Sequence, residues 1–251
     1  MKRDFDPQQP ELMDVPQPVT PELEKDLLNL VSLNRYFGSH RLVKAFLDCW
    51  FHPGESYRVL DVCTGAGDIP RLLVDYCRRN DMRIQIDAID ASDATLEIAK
   101  SLSAGYPEIT WIKADALTYG SASTYDLVCC SLALHHFSGV DAVKLLRNFR
   151  NLAHRWVLVA DLERHWSTTM GVWLVTSLFY REPMTRHDAM MSVRRAFSYP
   201  ELKAMAEEAG WSGFGHQRFI FCRQALWLSE RDLGDIPAPV IPVPTQLPSP
   251  A

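Results

Sequence analysis

Four groups of residues in this chain have types and spacings suited to chemistry. The first is Thr64-Gly65-Ala66-Gly67-Asp68, which directly follows the apolar, β-branched run 58–63, so that a buried strand runs into a glycine-rich turn. Gly65 and Gly67 lack a Cβ and let a ligand approach the backbone closely. The second is Asp90, which ends the alternating run 84–90, roughly 20 residues past the loop, where an acidic side chain can accept both hydroxyls of a ribose. The third is His135-His136, just beyond the apolar run 127–131. An imidazole there, His136 more than His135, could take the proton of an attacking hydroxyl, or could simply shape a pocket. The fourth is Thr185-Arg186-His187-Asp188 with Arg194-Arg195 close behind. His187 could bind or deprotonate an acidic phenol there, and a structural salt-bridge network accounts for the same residues equally well.

The loop discriminates between ligands. A dinucleotide fingerprint needs a third glycine where Pro70 stands. Asp68 also puts a carboxylate where a pyrophosphate would sit at a helix N-terminus, which favours a cationic nucleoside instead. No metal-ligand spacing is read from the sequence, and no metal is expected.

These residues need a scaffold that brings them to one edge. Pro70 suits the first turn of a helix, and helices follow at 93–102 and 140–152, with strands at 108–112, 127–131 and 156–160 between and after them. The alternation is βαβαβ, and parallel strands open their carboxyl ends onto a common crevice. Asp161 and Glu163 follow the fifth strand there, placed to orient an acceptor or to cap the next segment. Ser198 and Glu201 form a capping box for a helix over 200–209 that Gly210 ends, and 214–228 makes a closing antiparallel pair. Thr20 caps a helix from Pro21, which breaks at Gly38-Ser39 and resumes over 42–51. The apolar stretch 170–180 reads as a lid over an acceptor.

At Leu60-Asp61-Val62-Cys63-Thr64-Gly65-Ala66-Gly67, Ile89-Asp90-Ala91-Ser92, Ala114-Asp115-Ala116 and Tyr125-Asp126-Leu127-Val128 the chain resembles the Rossmann-like (class I) S-adenosylmethionine-dependent methyltransferases. The nearest likeness is to the ubiquinone/menaquinone-biosynthesis type. The resemblance covers about residues 42–162. It implies an α/β fold: a doubly wound, mostly parallel seven-stranded sheet with an antiparallel closing strand, N-terminal lid helices and a helical insertion after the fifth strand. It also implies S-adenosyl-L-methionine as cofactor. Gly65, Gly67 and Asp90 would hold it, Asp61 would reach its methionine end, Asp115 would bond the adenine amino group beside Ala116, and Thr64, Ala91 and Ser131 complete the set. The expected layout is a flexible arm over 1–20 without chemistry, a methyltransferase domain over 21–231 (lid helices 21–51, acceptor-side insertion 164–197) and a proline-rich flexible tail over 232–251.

The expected activity is methyl transfer to a hydroxyl oxygen or activated carbon of a small, hydrophobic acceptor: an aromatic, a quinone precursor or a polyketide. Two other readings stay open, a fold that binds the cofactor without transferring methyl and a protein methyltransferase. No amino-methylation motif follows the fourth strand, where Ser131-Leu-Ala-Leu134 stands. Composition narrows the rest. With 251 residues, 47% hydrophobic and 23% charged, one α/β domain is expected, and a net charge of -5 argues against nucleic acid. The six cysteines form no C-x-x-C pair and read as reduced core thiols. The stretch 170–180 is too short to span a bilayer, so a soluble, cytoplasmic protein is expected, with a homodimer left open.

Overall fold

The computed structural model describes residues 2–120 and 124–229. Its centre is a seven-stranded sheet in the order β3-β2-β1-β4-β5-β7-β6. The strands are β1 (Ser56–Val62), β2 (Arg83–Asp90), β3 (Ile109–Lys113), β4 (Tyr125–Ser131), β5 (Ala153–Leu162), β6 (Gly215–Phe219) and β7 (Arg223–Ser229). The first five run parallel to one another, and β7 pairs antiparallel with both β5 and β6. This is the doubly wound, mostly parallel α/β sheet that the βαβ pattern implies. Its order reverses between β1 and β4, so a crevice opens beyond their carboxyl ends.

Strand alternation builds two cores, one on each face. Val59, Leu127, Trp156 and Leu158 point to one side. Leu60, Val128, Val157 and Leu226 point to the other. The first face is covered by α2 (Ser39–Trp50) and α3 (Asp68–Arg79), where Trp50 stacks on Trp156 with ring centroids 5.5 Å apart and planes within 6°. The second is covered by α5 (Gly139–Leu152) and α8 (Tyr199–Glu208), through Leu146, Phe149 and Leu202. The Ser198–Glu201 capping box starts α8 as the spacing predicts.

Three further helices lie beyond the carboxyl edge of the sheet or beside it: α1 (Pro21–Tyr36), α6 (Trp166–Phe179) and α7 (Pro183–Arg195), with α4 (Asp93–Leu102) following β2. Thr20 caps α1 by accepting the Leu23 N–H at 3.1 Å. The insertion after β5 is thus two helices, α6 and α7. Among the described residues no helix is long and apolar enough to cross a membrane.

The N-terminal segment departs from the flexible arm expected for 1–20. Its described part is packed across α7 and the end of β4. Arg3 donates to the carbonyls of His135 and Phe137 at 3.0 and 2.7 Å, and its guanidinium stacks over Phe197 at 3.8 Å. The Leu12 and Met13 N–H groups donate to the fully buried Asp188 at 2.8 and 2.9 Å. Arg195 donates to the Asp6 and Gln9 carbonyls. Prolines remove helix as an option for such a segment but leave its carbonyls free to be bonded from elsewhere, which is what Arg3 and Arg195 do. The proline-rich tail expected over 232–251 lies outside the described residues.

Candidate active site

The glycine loop leaves β1 with three residues at positive φ, Cys63 at 56°, Gly65 at 54° and Gly67 at 72°. Gly67 has a steric reason as well: a Cβ there would stand 2.3 Å from the Trp111 ring. Gly65 turns its N–H toward the end of β2 and donates to Asp90 Oδ2 at 3.0 Å, while Asp90 Oδ1 accepts from the Ser92 N–H, also at 3.0 Å. Burial raises the Asp90 pKa and these two N–H groups oppose that rise.

Beyond this pair lies a cavity of about 910 Å³. Thr64, Gly65, Asp90, Ala91 and Ser131 line it, five of the nine cofactor residues expected from the sequence. Among the described residues the buried Ser131 hydroxyl has no hydrogen-bond partner, which is what a wall built for a polar ligand leaves open, while the Thr64 side chain engages the Asp61 carboxyl behind the loop.

The other four do not line it. Gly67 is taken up by the helix start and by Trp111. Asp61 is buried behind the loop, and desolvation, with Asp68 and Asp90 nearby, pushes its pKa up to about 8. Asp115 is exposed and closes its own turn by accepting the Leu117 N–H at 2.9 Å, while Ala116 packs into the core. The acidic group that does face the cavity near the loop is Asp68, at the N-terminus of α3. Its Oδ2 is held by His40 at 2.7 Å and by the Asn34 amide at 3.1 Å, so it ties both lid helices to the loop.

Further wall comes from α6, with Gly171, Val172, Val175 and Thr176, and from the N-terminal segment, with Glu11, Met13 and Asp14, the last near enough to Asp90 to act on its charge. The opposite side of α6 leaves Trp166, Met170 and Trp173 exposed. His135 and His136 leave β4 on a short 3-10 turn over Leu134–His136 and reach this wall. His135 Nδ1 meets Asp161 Oδ1 at 2.7 Å, and Asp161 also accepts the His135 and Leu162 backbone N–H groups. Buried as it is, Asp161 is held below the usual carboxylate range by the His135 ring and these N–H groups. Asp161 thus orients an imidazole and does not face an acceptor. Glu163 is engaged by Arg218 in a two-pronged ion pair at 2.7 and 2.9 Å.

His136 Nδ1 meets Asp14 Oδ2 at 2.6 Å. Burial alone would lower its pKa, but the carboxylates of Glu11 and Asp14 outweigh that and raise it to about 10. The two carboxylates thus favour the charged form of the ring. His187 is not in the cavity. It sits partly exposed on α7 with Nδ1 2.8 Å from Asp188 Oδ1, beside a separate small pocket with Arg186 and Met190. The Thr185–Asp188 segment therefore fastens the N-terminal segment through Asp188.

Glu11, Asp14, Asp68 and Asp161 are the functional positions that sequence reasoning missed or placed elsewhere. Asp68 carried a signal, its place in the loop; Glu11 and Asp14 carried none, because their partners lie more than a hundred residues away.

Comparison with known proteins fits this geometry. A family described as "Methyltransferase domain" matches residues 59–155. The chain is similar to the 2-phytyl-1,4-naphtoquinone methyltransferase of Thermosynechococcus vestitus, 25% identical over 209 residues that cover 78% of this chain and 90% of that one. Among solved structures, the plantazolicin methyltransferase BpumL in complex with SAH superposes with a TM-score of 0.62 at 14% identity, covering 84% of this chain and 91% of that one. The plantazolicin methyltransferase BamL, in complex with SAH and a triazolic desmethylPZN analog, gives 0.60 at 19% identity over 80% and 74%.

Proposed function

Because the chain is a Rossmann-like, class I S-adenosylmethionine-dependent methyltransferase, we propose that it methylates a hydroxyl oxygen or an activated carbon of a small, hydrophobic acceptor of quinone-like, aromatic or polyketide type. The observation that carries this is the cavity itself. Its about 910 Å³ joins the glycine loop and Asp90 at one end to the apolar α6 wall at the other. Pockets for a single drug-sized ligand run from about 300 to 1,000 Å³, so this space suits a nucleoside cofactor with a small molecule beside it. The similar naphthoquinone methyltransferase from a cyanobacterium acts, by its name, on an acceptor of the same class.

The bound cofactor supplies an electrophilic methyl group on a sulfonium. The residues do the rest. Asp90 offers its remaining carboxylate lone pairs to the ribose hydroxyls, in an orientation that Gly65 and Ser92 fix. Asp68, not Asp61, presents the negative charge that faces a cationic ligand at the loop. Thr64 and Ser131 would offer hydroxyls to the cofactor, and the small Ala91 side chain leaves room beside them. Val172, Val175 and Met13 exclude water around the acceptor and hold it at attacking distance, where positioning supplies most of the rate. Six free cysteines suit a cytoplasmic setting.

The test uses S-adenosylmethionine with a radiolabelled methyl group, offered with reduced naphthoquinones and with an extract of the source cells. Label in the solvent-extractable small-molecule fraction is expected. Label in protein, or cofactor bound and left intact, would transfer the function to one of the rival readings.

A further inference from the structure

Three groups converge on one point of the cavity wall with nothing between them. Glu11 is 2% exposed, and its two carboxylate oxygens stand 3.9 Å from His135 Nε2 and 3.9 Å from His136 Nε2. One ligand atom from each of the three residues fits within 4.8 Å. The far nitrogen of each ring is already committed, to Asp161 for His135 and to Asp14 for His136. Ionised carboxylates accept and do not donate, so both Nδ1 atoms carry a hydrogen and each Nε2 faces Glu11; an ion that takes these nitrogens displaces the Nε2 proton that the carboxylates favour on His136. His135 Nε2 is buried with no hydrogen-bond partner among the described residues. A gap of 3.9 Å is too wide for an N–H···O bond. An ion bound at about 2.1 Å sets its ligands roughly 3 to 3.5 Å apart, so each 3.9 Å gap would close by about half an ångström and the widest pair of the set, within 4.8 Å, by up to about 1.5 Å.

We propose that Glu11, His135 and His136 bind one divalent transition-metal ion of the zinc or ferrous class, with Asp161 and Asp14 orienting the two imidazoles. Two nitrogens and one carboxylate oxygen make a set for borderline ions, and an ionised carboxylate behind each ligating histidine fixes the tautomer such a site requires. All three residues line the cavity, so the remaining coordination positions open into it. Glu11 comes from the N-terminal segment and the histidines from the end of β4, so the ion also clamps that segment over the cavity.

The ion's chemical role rests on the methyltransferase reading; the site does not. An acceptor hydroxyl that binds the ion loses its proton to water more readily. Its oxygen, or a ring carbon made electron-rich by it, then bonds to the methyl carbon as the sulfur–methyl bond breaks with its electron pair left on sulfur. No electron is gained or lost overall.

Full-length protein freed of metal by chelator and titrated with cobalt(II) provides the test. One cobalt per chain with visible ligand-field bands is expected, together with slower proteolysis of the first 20 residues. Affinity should fall at least tenfold in Glu11→Gln and in His136→Asn, the second being a change on a partly exposed turn that keeps the test usable if the first variant fails to fold. Failure of the wild-type protein to bind cobalt, or unchanged binding in folded variants, overturns the site. S-adenosylmethionine binding measured in parallel separates the two claims: cobalt bound without the cofactor upholds the site and overturns the methyltransferase reading, and the cofactor bound without cobalt does the reverse.

Discussion

Asp90 and Gly65 are joined by a 3.0 Å hydrogen bond in which the glycine N–H donates to the carboxylate, so the end of β2 and the turn after β1 move as one body. That bond presets the shape of the cavity rim before any ligand arrives, because the same carboxylate is also held by Ser92.

The other loop glycine serves the fold. Gly67→Ala would set a methyl group 2.3 Å from Trp111 at a φ of 72°, combining a clash with left-handed backbone strain. A loss of about 2 kcal/mol of stability is expected in chemical denaturation, with a lowered Tm. An unchanged midpoint would mean that Trp111 is free to move away.

Asp61 gives the stability a pH slope. Its folded pKa of about 8 lies above the unfolded value near 3.9, so between these values the folded state holds a proton that the unfolded chain has released. Stability from this group is complete below pH ~4 and is lost progressively as the pH rises to about 8. Asp61→Asn removes that slope. Unfolding curves at pH 5, 6.5 and 8 should show the variant gaining on the wild type by up to about 1 kcal/mol per pH unit. Parallel pH profiles would contradict the buried, protonated carboxyl.

On the acceptor side, Val175 on α6 lines the cavity far from the loop. Val175→Trp should raise the acceptor's KM about tenfold and leave cofactor affinity unchanged, since a filled wall there removes acceptor space alone. Steady-state kinetics with each substrate varied in turn would show it, and a loss of cofactor affinity would place the cofactor at the wrong end.

Much of the fold was legible in the sequence because its signals are local. The β-branched runs, the Thr20 and Ser198 caps and the two loop glycines each specify their own turn or strand, and the structure places helices and strands within a few residues of them. The site was legible only where it is built from such local turns, as at Gly65 and Asp90. Asp115 shows the limit: the position fits the motif, yet the side chain closes its own turn. Glu11 shows the opposite case. It sits in a proline-punctuated segment that reads as solvent-exposed; Ser192 bonds it directly, and Arg3, Asp188 and Arg195 hold the segment around it, contacts that span up to about 190 residues of chain and leave no periodic trace.

The most direct measurement is calorimetric titration of S-adenosylmethionine into the wild-type protein and into Asp90→Ala. Loss of hydrogen bonds to an ionised carboxylate costs about 1.5 to 3 kcal/mol, so the variant should bind roughly ten- to a hundredfold more weakly while remaining folded. Equal affinity in the two proteins would contradict the account, because the cofactor would then lie somewhere other than the cavity that Asp90 and Gly65 define.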